Sequence, residues 1–102
     1  MTIDEENMAS VMLMQALLGV ISPNFRKIEA SFSNDIWKIN FFLEEESEID
    51  REEIEDALGK FDSLVLAMRI IPSKIFSVIN ICSGILPITD SMEWRIIFLR
   101  RE

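Results

Sequence analysis

An α+β fold in the order αββαββ, a four-stranded antiparallel sheet with two helices packed on one face, is predicted by three features of the sequence. Residues 54–68 carry Ile54, Ala57, Leu58, Phe61, Leu64, Val65 and Met68, each with apolar neighbours three or four positions along, the clearest amphipathic helix in the chain. Residues 25–43 alternate with a period of two on either side of the polar link Ser33-Asn34-Asp35, which reads as a hairpin. After Pro72, two further strand-like segments are separated by a loop that contains Gly84 and Pro87. Short connections favour antiparallel neighbours, and 102 residues make one domain, 1–102.

Each element follows from its own residues. Thr2 and Glu5 form a capping box, in which the Thr2 hydroxyl accepts from the Glu5 backbone and the Glu5 carboxylate reaches back. The first helix is expected from Ile3 to Val20, ended by Ser22-Pro23-Asn24. Its apolar residues, Met8, Val11, Met12, Leu13, Ala16, Leu17 and Leu18, cover more than one stripe, as in a helix buried on most of its circumference or touched by a second subunit.

In the hairpin, Ile28, Ala30 and Phe32 line one face of the first strand. Trp37, Ile39, Phe41 and Leu43 line one face of the second, leaving Lys38 and Asn40 opposite. Asp50 and Glu53 repeat the capping-box spacing before the second helix, which Pro72 stops. The third strand is expected at Lys74 to Cys82, a loop at Gly84 to Asp90, and the fourth strand at Met92 to Arg100. Trp37 and Trp94 fall at core phases, whereas Ile36, Phe42 and Phe76 fall opposite and could lie under the first helix or form a dimer or partner surface.

Composition narrows function by exclusion. The chain has no histidine, no tyrosine, one cysteine and three isolated glycines, so neither a Ser-His-Asp nor a Cys-His site can form and no phosphate-cradling loop is present. No catalytic residue and no cofactor are expected. Cys82 reads as a buried structural thiol, since no second cysteine exists to pair with it. The apolar run Met8 to Ile21 is shorter than the roughly 20 residues of a membrane span and follows Asp4, Glu5 and Glu6, where a secretory signal would be positive. A cytoplasmic location is expected.

The charge is the informative quantity: 18 acidic against 10 basic residues give −8. Such a field repels nucleic acid and anionic lipid, and it favours a cationic protein partner. Nine carboxylates lie within 13 residues, Glu44, Glu45, Glu46, Glu48, Asp50, Glu52, Glu53, Glu55 and Asp56, against the single Arg51. The run lacks the alternating ligands and central glycine of a calcium loop, so no metal site is assigned to it. The bland reading is a solvated face that keeps the protein soluble. Against it stands the repulsion among so many like charges in one place, which docking to Lys and Arg would relieve. The nine carboxylates are therefore the candidate partner-binding residues, with those pointing away from Ile54 and Leu58 contributing most.

Three segments resemble contact-dependent growth inhibition immunity proteins and their relatives encoded beside bacterial polymorphic toxins. They are Ala16-Leu-Leu-Gly-Val-Ile-Ser-Pro-Asn24, Trp37-Lys-Ile-Asn-Phe-Phe-Leu-Glu-Glu-Glu46 leading into Asp50-Arg-Glu-Glu-Ile-Glu-Asp56, and Trp94-Arg-Ile-Ile-Phe-Leu-Arg-Arg-Glu102. The resemblance implies that the chain binds the C-terminal domain of a cognate toxin and holds it inactive. Toxin domains of such systems are often nucleases with basic clefts, which an acidic inhibitor can occupy or border. The alternative is a non-enzymatic housekeeping homodimer with no toxin partner.

Overall fold

Thr2 caps the first helix as its spacing predicts: its hydroxyl accepts from Glu5 N at 3.1 Å and its own N–H donates to Glu5 Oε1 at 2.9 Å. In the computed structural model, which describes residues 2–32, 35–69, 72, 74–89 and 93–102, this helix, α1, spans Ile3–Ala16. It ends a turn earlier than expected, because Leu17 is its C-cap and Gly19 sits at φ +79°, a conformation that glycine adopts without strain. Ser22-Pro23-Asn24 is therefore not the stop. Nor is α1 buried around most of its circumference: Ala9, Met12, Leu13 and Ala16 face the core, while Met8, Val11 and Met14 are exposed.

Strands β1 (Phe25–Ser31) and β2 (Ile36–Leu43) pair antiparallel, although the link residues Ser33 and Asn34 lie outside the described residues. Helix α2 spans Glu48–Ala67 and is capped by Ser47, whose hydroxyl accepts from Asp50 N at 3.2 Å. The cap is thus three residues ahead of the expected Asp50, and Asp50 is instead inside the first turn. At the other end the chain turns at Arg69, which adopts φ +60°.

Strands β3 (Lys74–Ile81) and β4 (Trp94–Leu99) complete a four-stranded sheet in the order β3-β2-β1-β4. The expected start of β4 at Met92 and the end of the loop at Asp90 lie outside the described residues. The sheet is mixed, not purely antiparallel: β3 lies parallel to β2 in unbroken register from Ile36↔Lys74 to Leu43↔Ile81. The reason is the length of α2. Twenty helical residues rise about 30 Å, enough to return the chain along the about 26 Å of the eight-residue β2. β3 therefore starts at the same end as β2, and β2-α2-β3 is a parallel crossover unit.

Both helices cover the same face, where Leu13, Ala16, Phe25, Ile28, Phe32, Trp37, Ile39, Phe41, Ile54, Phe61 and Val65 belong to one buried cluster. Trp37 packs edge-on to Phe32 with ring centroids 5.1 Å apart and lies 5.9 Å from Phe61 of α2. Two register shifts break simple alternation, one on β1 and one on β4. Arg26 falls at the first, so that Phe25 and Ile28, three residues apart, both face the core. At the second, Glu29 pairs with Ile96 but Ile28 with Phe98. Trp94 and Ile96 consequently share the helix-free face with Ser31 and Glu29, and Ile97 and Phe98 pack on the core side, which corrects the expected core position of Trp94.

Candidate functional site

The acidic stretch begins where β2 ends and continues through the first two turns of α2. Its path is set by Asn24, from the segment before β1. The Asn24 amide donates to Glu45 O at 2.8 Å and to Asp50 Oδ2 at 2.9 Å, and its Oδ1 accepts from Glu45 N at 2.8 Å. Backbone pairing continues this clamp, since Glu44 N donates to Asn24 O at 2.9 Å. A loop dense in like charge is thereby held in one conformation in part by hydrogen bonds to a neutral amide.

The nine candidate carboxylates divide into two groups. Three serve the fold. Glu44 accepts from Arg100 at 2.9 Å, and Arg100 also donates to Pro23 O at 2.9 Å and to Glu102 at 3.0 Å. Glu46 pairs with Arg51 through both carboxylate oxygens, and the hydrogen bonds from that guanidinium hold the Glu46 carboxyl below the usual carboxylate range. Asp50 is 6% exposed and accepts from Asn24.

The other six, Glu45, Glu48, Glu52, Glu53, Glu55 and Asp56, are exposed, and among the described residues none forms a salt bridge. The α2 residues Ile54, Ala57, Phe61 and Val65 are buried against the core. At 100° per residue, Glu48, Glu52, Glu55 and Asp56 project on the opposite side of the helix, and Glu53 lies on its flank. Acids in the first turn also suit the positive end of the helix dipole, which lets α2 carry them where a helix C-terminus would not.

Chemically, this surface can accept hydrogen bonds and attract cations. Among the described residues no group of three or more His, Cys, Asp or Glu side chains is arranged to hold a metal ion. Arg100 and Asn24, which shape the site, were not singled out by the sequence patterns. Their partners lie 56 and 26 positions away along the chain, so no local spacing could have marked them.

The helix-free face of the sheet is different in character. Around β1 it is closed by the 82–89 loop: the Lys27 ammonium donates to Pro87 O at 2.7 Å and to Thr89 Oγ1 at 2.8 Å, and lies over the Phe42 ring. Phe42 is buried there, under the loop and not under the first helix. Farther out, Lys38, Asn40, Phe76, Val78 and Trp94 line an open groove. Ile36 and Phe76, which alternation placed opposite the core, are exposed. No helix among the described residues is long and apolar enough to cross a membrane.

No curated protein matches the chain. Residues 6–102, a span that takes in all four strands, α2 and the whole acidic stretch, match the family model described as MafI2 immunity protein, and the chain belongs to that family.

Proposed function

We propose that this chain protects the cell that makes it by binding the C-terminal domain of a cognate toxin, a basic nuclease, through the outward face of α2 and the loop before it. The observation that carries this reading is the division of the acidic stretch. Six carboxylates stand exposed and unpaired among the described residues on a loop and helix that are themselves firmly held. A face that served only solubility would have no need of a clamp such as Asn24.

Membership of an immunity family supports a toxin as the partner. The charge supports a cationic surface on that toxin, because carboxylates fixed in advance draw Lys and Arg without reorganising. Placed in a nuclease cleft, they would take the positions of substrate phosphates. The same reading makes the chain a single folded unit that acts by occupancy and not catalysis, in the cytoplasm, against a toxin delivered by contact between cells.

The test is a Glu45→Lys, Glu48→Lys, Glu52→Lys variant, with association to the toxin domain followed by stopped flow and protection followed by co-expression. Reversing three exposed charges leaves the core untouched, so the far-ultraviolet spectrum stays as in the wild type and the thermal midpoint falls only slightly, by what a lysine at Glu48 costs against the helix dipole. Association is expected to slow by about tenfold or more, most at low salt, and protection to fail. Wild-type association and full protection by this variant would remove the acidic face as the contact.

A further inference from the structure

The sheet has two edges, and they are built differently. β4 is six residues long, pairs with β1 across a register shift, and carries Arg95, which donates to Asn7 at 2.6 Å. Short length, a bulge and a charge are the usual protections of an edge strand against pairing with another chain. β3 has neither the short length nor the bulge. It runs eight residues in unbroken register with β2, contains no proline, and has Lys74 at its first position as its one charge.

Half of the backbone N–H and C=O groups of an edge strand point away from its sheet. Among the described residues, no backbone group of 74–81 is hydrogen-bonded to anything beyond β2. Its side chains are uncovered as well: Phe76 is 44% exposed and Val78 is 51% exposed on one face, and Ile81 is 45% exposed.

We propose that the free edge of β3 pairs antiparallel with β3 of a second copy of this chain, joining two four-stranded sheets into one across a two-fold axis. The sequence of the strand is complementary to itself about Ser77. With Ser77 of one copy opposite Ser77 of the other, Phe76 meets Val78, Ile75 meets Ile79 and Lys74 meets Asn80, each twice. The Phe76–Val78 and Ile75–Ile79 pairs set apolar against apolar, and Ser77 and the Lys74–Asn80 pair set polar against polar. None of the 18 acidic residues lies in 74–81, so the approaching edges carry no negative charge although each copy bears −8. The remaining repulsion is long-range and is screened by salt. Self-pairing therefore strengthens as salt rises, opposite in sign to the association with a basic toxin, and the two proposals stand or fall separately.

The experiment is light scattering and sedimentation of the full chain, from micromolar to millimolar concentration at low and high salt. The mass is expected to rise from 11.8 kDa toward twice that value, sooner at high salt. Val78→Lys places a charge on the exposed edge; it is expected to abolish the dimer while leaving the far-ultraviolet spectrum unchanged. Ser77→Cys in a Cys82→Ser background is expected to be joined to its copy by a short bismaleimide, since residues directly opposite in an antiparallel pair bring their Cβ atoms to within about 5.5 Å. A chain that stays at 11.8 kDa throughout overturns the proposal. So does a dimer that survives Val78→Lys, and so does one that does not cross-link through position 77.

Discussion

Arg26 sits at the register shift of β1, and its guanidinium ties three separate parts of the chain together. It donates through Nε and Nη2 to both carboxylate oxygens of Glu102 at 2.7 Å, and through Nη1 to Cys82 O and Gly84 O at 2.6 Å. The paired guanidinium lowers the Glu102 carboxyl to about 2, with Arg100 adding to the effect. A carboxyl depressed from 4.5 contributes stability that is fully present above that value and is lost as the pH falls toward about 2. Glu102→Gln should therefore be less stable than the wild type at pH 6, with the gap narrowing through the pH 4.5 to 2 window. Urea midpoints measured across that range check this. A gap that stays constant with pH would mean that the ion pair contributes nothing.

At the scale of elements, α2 and its approach loop do two jobs with one stretch of sequence. The inward stripe, Ile54, Ala57, Phe61 and Val65, fastens the helix to the sheet, and the outward side carries the unpaired carboxylates. Asn24 couples the two by fixing the loop against Asp50 in the first turn of α2. Asn24→Ala removes three hydrogen bonds and takes a partner from a buried carboxylate, so a loss of about 1–3 kcal/mol in unfolding free energy is expected. Toxin association should slow as well, though less than in the triple charge reversal, because every exposed carboxylate remains. Urea unfolding and stopped-flow association measure the two effects; unchanged stability would show that the loop is held by other means.

For the whole molecule, the sequence made legible what depends on near neighbours. The Thr2 capping box, the spacing of three and four from Ile54 to Val65, and the alternation that puts Trp37, Ile39, Phe41 and Leu43 on one face all depend on residues a few positions apart. Strand direction does not. A period of two is the same for a parallel and an antiparallel strand, and β3 joins β2 in parallel only because α2 is long enough to carry the chain back. The bulges on β1 and β4 were hidden for a similar reason, since Phe25 and Ile28 share a face only once the register of β2 is known, and Ile97 and Phe98 only once that of β1 is. Within the acidic stretch, the location of the charge was legible, but its division was not. Which carboxylates serve the fold depends on Arg100 and Asn24, both remote along the chain.

The central claim is that a fixed, unpaired set of carboxylates draws this protein onto a cationic toxin surface. Its most direct test is the association rate of the wild-type chain with the toxin domain as a function of ionic strength. The expected result is a rate of about 10⁸–10⁹ M⁻¹s⁻¹ at low salt, falling toward the about 10⁵–10⁶ M⁻¹s⁻¹ of uncharged encounters as salt is raised. A rate that does not change with ionic strength would contradict the claim.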